Sequence, residues 1–232
     1  MKQHLIIYAK RPRPCFAKTR LAASLGGEQA AGVYARLLYS LLIDVACADL
    51  PDTVCELAVA EPEDCPYFER AFPEFVVRPQ TGGDLGTRMA NSFSRAWGEG
   101  ADAVVLVGSD IPGLSSEIIR QAFAALQRPE VGKGIPGVIG PATDGGYYLL
   151  GMHAPGESLF GGITWSTDTV LTQTEALAIA RGVDLMRLSE MADIDIREDY
   201  ETWSGALRGT CSGTDRSSLG APACPVGSRK KQ

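Results

Sequence analysis
The strongest constraint on what this chain can fold into is the run Ala-Val-Val-Leu-Val-Gly at residues 103–108. A short segment that is apolar at nearly every position has no face to offer water, so it belongs to a central strand covered on both sides. Other strands are expected at 4–9, 54–60, 75–77, 137–140, 147–152 and 184–188. Helical spacing recurs over 28–49, where Ala30, Val33, Tyr34, Leu37, Leu41 and Val45 fall on one face. Further helices are expected at 63–72, at 85–97 with Met89, Phe93 and Trp97 on one face, from Ser115 as N-cap to about 127, at 167–181 behind Ser166, and at 197–203. Strands alternating with helices, joined by right-handed crossovers, give an α/β fold: a three-layer α/β/α sandwich with a mostly parallel sheet. There is no internal repeat. After Ser204 the composition turns to Gly, Ser, Thr, Pro and basic residues without periodicity. Residues 1–204 are therefore expected to form the domain and 205–232 a disordered tail.

The segment AKRPRPCFAKTRLAASLGG, residues 9–27, follows the first strand. It carries five cations, Lys10, Arg11, Arg13, Lys18 and Arg20, in a chain of net charge −6. A basic loop between a strand and a helix, at the carboxyl end of an open sheet, suits a polyphosphate; a solvated charge run is the plainer alternative. It is not a Walker loop, because Pro12 and Ala17 occupy the glycine positions before Lys18-Thr19. It is not a dinucleotide fingerprint either, since it has no glycine before Gly26.

Composition excludes several classes. Net charge −6 argues against nonspecific nucleic-acid binding. No apolar run approaches a transmembrane span, and LIIYA is too short for a signal-peptide core, so a soluble cytoplasmic protein without a membrane partner is expected. The six cysteines include no Cys-x-x-Cys pair, and only His4 and His153 offer imidazole, which disfavours structural zinc. Reduced, mostly buried cysteines are expected, with Cys15 set apart by its basic surroundings.

Asp110 follows the central strand in VVLVGSDIPGL. A carboxylate on a rigid strand end suits a hard divalent ion, although a turn Asp is common there. Asp193 and Asp195 in MADIDIREDY share one side if the stretch is extended, and either can complete a metal site; Asp195 can equally cap a helix with Glu198 in a capping box. In GPATDGGYYLLG, Asp144-Gly145-Gly146 suits close backbone approach to a ligand or an ordinary hairpin. QTGGDLGTRMA sets Gln80 before a glycine-rich helix start, where it can read a base edge.

Taken in order, AKxPxPxxxKTRL, QxGGDLGxRM, GSDxPGL, GPAxDGGYYLLG, WST and DIDxxED resemble the DUF2064 family. These are glycosyltransferase-like proteins associated with radical-SAM, selenium and arsenosugar genes. The resemblance covers about residues 1–203 and implies the GT-A fold of the nucleotide-diphospho-sugar transferases. The Ala17-Lys18-Thr19-Arg20-Leu21 run is also similar to molybdenum-cofactor nucleotidyltransferases and phospholactate guanylyltransferases. Carried over, the resemblance implies that Lys10, Lys18 and Arg20 hold donor phosphates, that Ala9 belongs to the same binding site, that Gln80, Gly86 and Thr87 border the nucleotide, and that Asp110 and Asp195 bind Mg2+ or Mn2+. Two departures stand out: Cys15 where Gly is expected, and Ser109-Asp110 in place of a full Asp-x-Asp.

The activity expected is metal-dependent glycosyl transfer from a nucleotide-diphospho-sugar to a small-molecule acceptor, with Lys18, Arg20, Asp110 and Asp144 as the catalytic set. Nucleotidylyl transfer is the alternative, a nucleoside triphosphate reacting with a phosphorylated small molecule, and five loop cations suit a triphosphate. A non-catalytic nucleotide-binding module is the third reading.

Overall fold
The computed structural model describes residues 1–14, 16, 18–128, 134–153 and 159–210, with side chains as far as residue 205. The expectations placed on Cys15 and on the tail beyond Thr210 lie outside the described residues.

The elements run β1 (Gln3–Ala9), α1 (Thr19–Leu25), α2 (Gly27–Cys47), β2 (Thr53–Val59), α3 (Cys65–Ala71), β3 (Val76–Pro79), α4 (Leu85–Gly98), β4 (Ala103–Val107), α5 (Ser116–Leu126), β5 (Ile135–Pro141), β6 (Tyr147–His153), α6 (Val170–Ala180), β7 (Val183–Arg187) and α7 (Arg197–Thr210). The strands form one sheet in the order β3-β2-β1-β4-β6-β5-β7. All pairings are parallel except those of β6, which runs antiparallel to both β4 and β5. The three-layer α/β architecture is thus the expected one. All five residues of β4 are buried, as the apolar run requires.

Alternation along the strands splits the core in two. Leu5, Ile7, Val105 and Val107 pack on one face with α2, α3 and α5. Ile6, Val104 and Leu106 pack on the other with Met89 and Phe93 of α4 and Ala178 of α6. A third, smaller cluster joins Leu21 of α1 to Ala30, Val33 and Leu37 of α2 and to Ile194, which precedes α7. This last cluster positions the site.

Several local expectations are corrected. The basic segment is not all loop, because Thr19–Leu25 is helical and buries Leu21. Ser166 does not cap a helix: it adopts φ 64°, and α6 starts at Val170 behind Thr169. Ser115 stands at the N-cap of α5 without a side-chain cap bond, and Asp44 of α2 accepts the Ser116 N–H instead at 2.6 Å. At α7 the reciprocal acid is Asp199, not Glu198, and Asp195 is not the cap: Asp199 Oδ2 accepts from the N–H groups of Asp195 (3.0 Å) and Ile196 (2.9 Å). The helix α7 also continues to Thr210, past the helix end expected at 203. One helix, α2, does have the length and apolar composition of a membrane span. Its apolar stripe is that of a core helix, with Tyr34, Leu38, Leu41, Leu42 and Val45 packed on the sheet. Among the described cysteines Cys65 is buried, Cys55 half-buried and Cys47 exposed, all as free thiols.

Candidate functional site
Strand order reverses between β1 and β4, and open α/β sheets bind ligands at the carboxyl ends of strands around such a point. A cleft of about 530 Å³ lies there. Its walls include Ala9 and Lys10 from the end of β1, Ser109 and Asp110 from the end of β4, Lys18 from the basic segment and Gln80 from beyond β3.

A hydrogen-bond chain holds its floor. The Lys10 N–H donates to Tyr34 Oη at 2.9 Å. Ser109 Oγ lies 2.9 Å from Tyr34 Oη and donates to the Tyr8 carbonyl at 2.7 Å. With the Ser109 proton committed to that carbonyl, Tyr34 is the donor to Ser109. Burial pushes the Tyr34 phenol up to about 12, which keeps that proton in place. The ends of β1 and β4 are thereby tied to α2, and Asp110 leaves from a fixed point.

Lys18 is the centre of the charge arrangement. It adopts the left-handed conformation, φ 51° and ψ 52°, just before α1. Its side chain is only 4% exposed, and its Nζ lies 2.8 Å from Asp110 Oδ2 and 3.5 Å from Asp193 Oδ2. Burial works against the ammonium, but Asp110 first, then Asp193 and Asp195, outweigh it and hold the Lys18 pKa above its ordinary value. Asp193 is pushed up by burial, against the pull of Lys18, with Asp110, Asp144 and Asp195 adding repulsion. Asp193 therefore feels three other carboxylates beside the buried Lys18 ammonium.

The third core cluster explains this grouping. Leu21 and Ile194 are both fully buried there. Docking Ile194 on α1 turns its two neighbours toward the basic segment: Asp193 meets Lys18, and Asp195 Oδ2 meets Arg20 Nη1 at 3.0 Å. Met191 bridges to Ala142 and donates its N–H to the Pro141 carbonyl at 3.1 Å, which brings the β5–β6 turn and Asp144 alongside.

The five loop cations do not act together. Arg11 and Arg13 turn to Asp64, whose side chain is 2% exposed, at 3.5 and 2.5 Å. Arg11 also lies over the Tyr67 ring. Arg20 is 78% exposed and spent on Asp195. Lys10 and Lys18 are the two that line the cleft, joined there by Arg88 of α4, which sequence reasoning passed over. Gln80 lines the cleft but commits Nε2 to the Ala58 carbonyl at 2.9 Å. Gly86 and Thr87 open instead onto a separate recess beside Phe160 and Trp165, and the Thr87 N–H is capped by Asp84 at 2.7 Å. Tyr34 was read only as part of an apolar stripe; a phenol in that stripe was the available signal.

Asp144-Gly145-Gly146 makes the β5–β6 turn, with the Gly146 N–H donated to Asp144 Oδ1 at 2.9 Å. The backbone that approaches Gly145 closely is the protein's own. A Cβ there would meet the Asp168 backbone, and φ is +85°. Gly145→Ala should cost at least about 1–2 kcal/mol from the left-handed conformation alone. Chemical denaturation of the two proteins would measure this, and an unchanged midpoint would contradict it.

A parallel sheet with one reversed strand and a charged cleft at its switch point is the architecture of the nucleotide-diphospho-sugar transferases. A family model described as an uncharacterized protein conserved in bacteria, DUF2064, matches residues 42–167. The chain belongs to that family. A solved structure from Desulfovibrio desulfuricans G20, assigned as a nucleotide-diphospho-sugar transferase, is 28% identical with TM-score 0.79, over 94% of this chain and 91% of that one. Two others share the fold at low identity. CMP:2-keto-3-deoxy-manno-octonic acid synthetase complexed with CTP is 8% identical with TM-score 0.55, over 90% of this chain and 100% of that one. A cytidylyltransferase from Leptospira borgpetersenii serovar Hardjo-bovis is 13% identical with TM-score 0.56, over 90% and 87%. Comparison with curated proteins gave no match.

Proposed function
We propose that this protein is a nucleotide-dependent transferase that moves a sugar from a nucleotide-diphospho-sugar to a small-molecule acceptor. The observation that carries this reading is the buried Lys18 ammonium, bridging Asp110 and Asp193 at the switch-point cleft. Its two carboxylates neutralise the ammonium, which would become a partner for an incoming anion where a divalent ion takes those carboxylates from it. With Lys10 and Arg88, which also line the cleft, it offers phosphate oxygens charge-assisted contacts. Arg11, Arg13 and Arg20 are engaged elsewhere, which weakens the case for a triphosphate built on five cations. The fold shared with the Desulfovibrio desulfuricans G20 protein, assigned as a nucleotide-diphospho-sugar transferase, supports nucleotide-dependent transfer.

The donor set around Lys18 is carboxylate oxygen, which fits Mg2+ or Mn2+. Among the described residues no group of three or more ligands is already closed around one point. Asp110 and Asp193, which now share Lys18, would hold the ion once donor phosphate draws the ammonium away. Asp193 is proposed for that role ahead of Asp195 because it shares Lys18 with Asp110, whereas Asp195 pairs with the exposed Arg20. When bound, the ion neutralises charge on the departing diphosphate. The acceptor oxygen forms its bond to the anomeric carbon as the bond from that carbon to the diphosphate breaks. The diphosphate keeps the electron pair, and the acceptor proton passes to a carboxylate, the role proposed for Asp144, which stands near Asp193.

Nucleotide sugars with Mg2+ or Mn2+ should raise the melting temperature, by about 2.7 kcal/mol in stability at a hundredfold excess over Kd. Greater stabilisation by nucleoside triphosphates would replace this reading with nucleotidylyl transfer. Lys18→Ala should weaken nucleotide binding by about 1.5–3 kcal/mol. Arg11→Ala should leave it unchanged, because that guanidinium sits on Asp64 and Tyr67. Equal affinities in calorimetric titration of the two variants would reduce the basic segment to a solvated surface.

A further inference from the structure
Beside the phosphate cleft lies a second recess of about 190 Å³, and the two share Tyr8, Leu85 and Gly108 as a common wall. Its character is opposite. Met89, Tyr147, Trp165 and Val170 line it, and among the described residues no charged side chain does. The phenols facing it are already occupied. Tyr8 Oη is 3.0 Å from Ser92 Oγ, and Tyr147 Oη donates to Met89 Sδ at 3.8 Å. Burial raises the pKa of both, so neither offers a negative charge.

Two distant motifs build this recess together. Trp165, of the Trp-Ser-Thr motif, lies directly over Gly86 of the Gly-Gly-Asp-Leu-Gly motif. A Cβ at Gly86 would come under 3.0 Å from three indole atoms, so the glycine is the seat of that ring. Ser166, the next residue, lines the recess in the left-handed conformation at φ 64°, a strain of the kind that collects at ligand sites. Leu85, at the wall common to both spaces, is 44% exposed, an apolar side chain only partly covered by protein.

We infer that this recess seats the acceptor, and that the acceptor is an uncharged small molecule presenting a single ring or a compact apolar group. A cavity of about 150 Å³ with apolar walls holds benzene, so the volume here suits one ring. A phosphorylated or carboxylated group would lose its water shell with no cation to meet it. This inference rests on the glycosyl-transfer reading for the word acceptor; the recess and its selectivity stand on their own residues.

The probes are phenol and indole, against benzoate and phenyl phosphate as charged counterparts. Binding is read from the Trp165 indole N–H resonance, assigned by its loss in Trp165→Phe. The neutral rings should shift that resonance with saturation, and the charged ones should be at least tenfold weaker. Val170→Phe, which fills the recess, should abolish the shift while nucleotide-sugar binding in the cleft persists. Gly86→Ala, which displaces the indole, should weaken ring binding in the same way. Charged rings binding as well as neutral ones, or Val170→Phe and Gly86→Ala both leaving phenol affinity intact, would overturn the inference. Ring binding in a protein that binds no nucleotide sugar would overturn the donor reading and leave the recess assigned.

Discussion

Asp110→Asn is expected to lower turnover on the order of a hundredfold or more, the size of a lost electrostatic contact to charge developing in a transition state, while the fold stays intact. The side chain is 43% exposed, so no buried packing goes with it. Its position is fixed by β4 and by the Tyr34–Ser109–Tyr8 chain, so the change removes charge and leaves geometry. Two functions are lost together: the counter-ion that orients Lys18, and one carboxylate for a hard cation. Asp193→Asn should act nearly as strongly, since it shares the same ammonium. Asp195→Asn should cost less, because its partner Arg20 faces solvent. Activity against Mg2+ or Mn2+ concentration for the four proteins separates these cases. Full activity in Asp110→Asn, or a parent indifferent to chelator, would remove the metal from the proposal. A larger loss in Asp195→Asn than in Asp193→Asn would return the second ligand to Asp195.

The layers of this fold were legible because strand burial is written locally. An apolar run such as 103–107 has one stable environment, and period-3.6 stripes such as that of α2 have one buried face. The short helix α1 was not legible: it buries a single residue, Leu21, and one residue has no period. The location of the cleft could be read from the strand–basic loop–helix order, because the chemistry follows topology. The partners of the loop cations could not. Arg13 and Asp64 are 51 residues apart, and nothing local says that they meet. The sequence could not separate Asp193 from Asp195 for a related reason: alternation places both on one side, and the packing of Ile194 on Leu21 decides which cation each one faces. Gly86 shows the same limit from the other direction. Its glycine was visible, but its cause, an indole from residue 165, lies across the fold.

Glu56→Gln should produce the largest loss of stability. Glu56 lies in β2 and is fully buried, flanked by Cys55 and Leu57. Its carboxylate accepts from His4 Nε2 of β1 at 3.1 Å and from Arg95 Nη2 of α4, with Arg78 Nε of β3 at 3.7 Å. Arg78 continues to Glu99 at 2.9 Å, so one buried anion ties three strands to α4. The amide keeps the shape but leaves Arg95 without its counter-charge. Removing one partner of a buried pair costs about 3–5 kcal/mol, and water reaching Arg95, 26% exposed, places this case near the lower end. For a domain of this size that is roughly 6–12 °C in melting temperature. The pH dependence has a definite sign. Burial opposes ionisation of Glu56, but His4 and Arg95 outweigh it and hold the carboxyl below its ordinary range. Its stabilisation is therefore present above the unfolded-state pKa of about 4.3 and drains away as pH falls through the lower folded-state value. Urea denaturation at neutral pH and through the acid range should show the parent losing more stability than Glu56→Gln, so that the two curves converge. Curves that stay parallel into acid would mean that Glu56 is not the group whose charge holds β1, β2, β3 and α4 together.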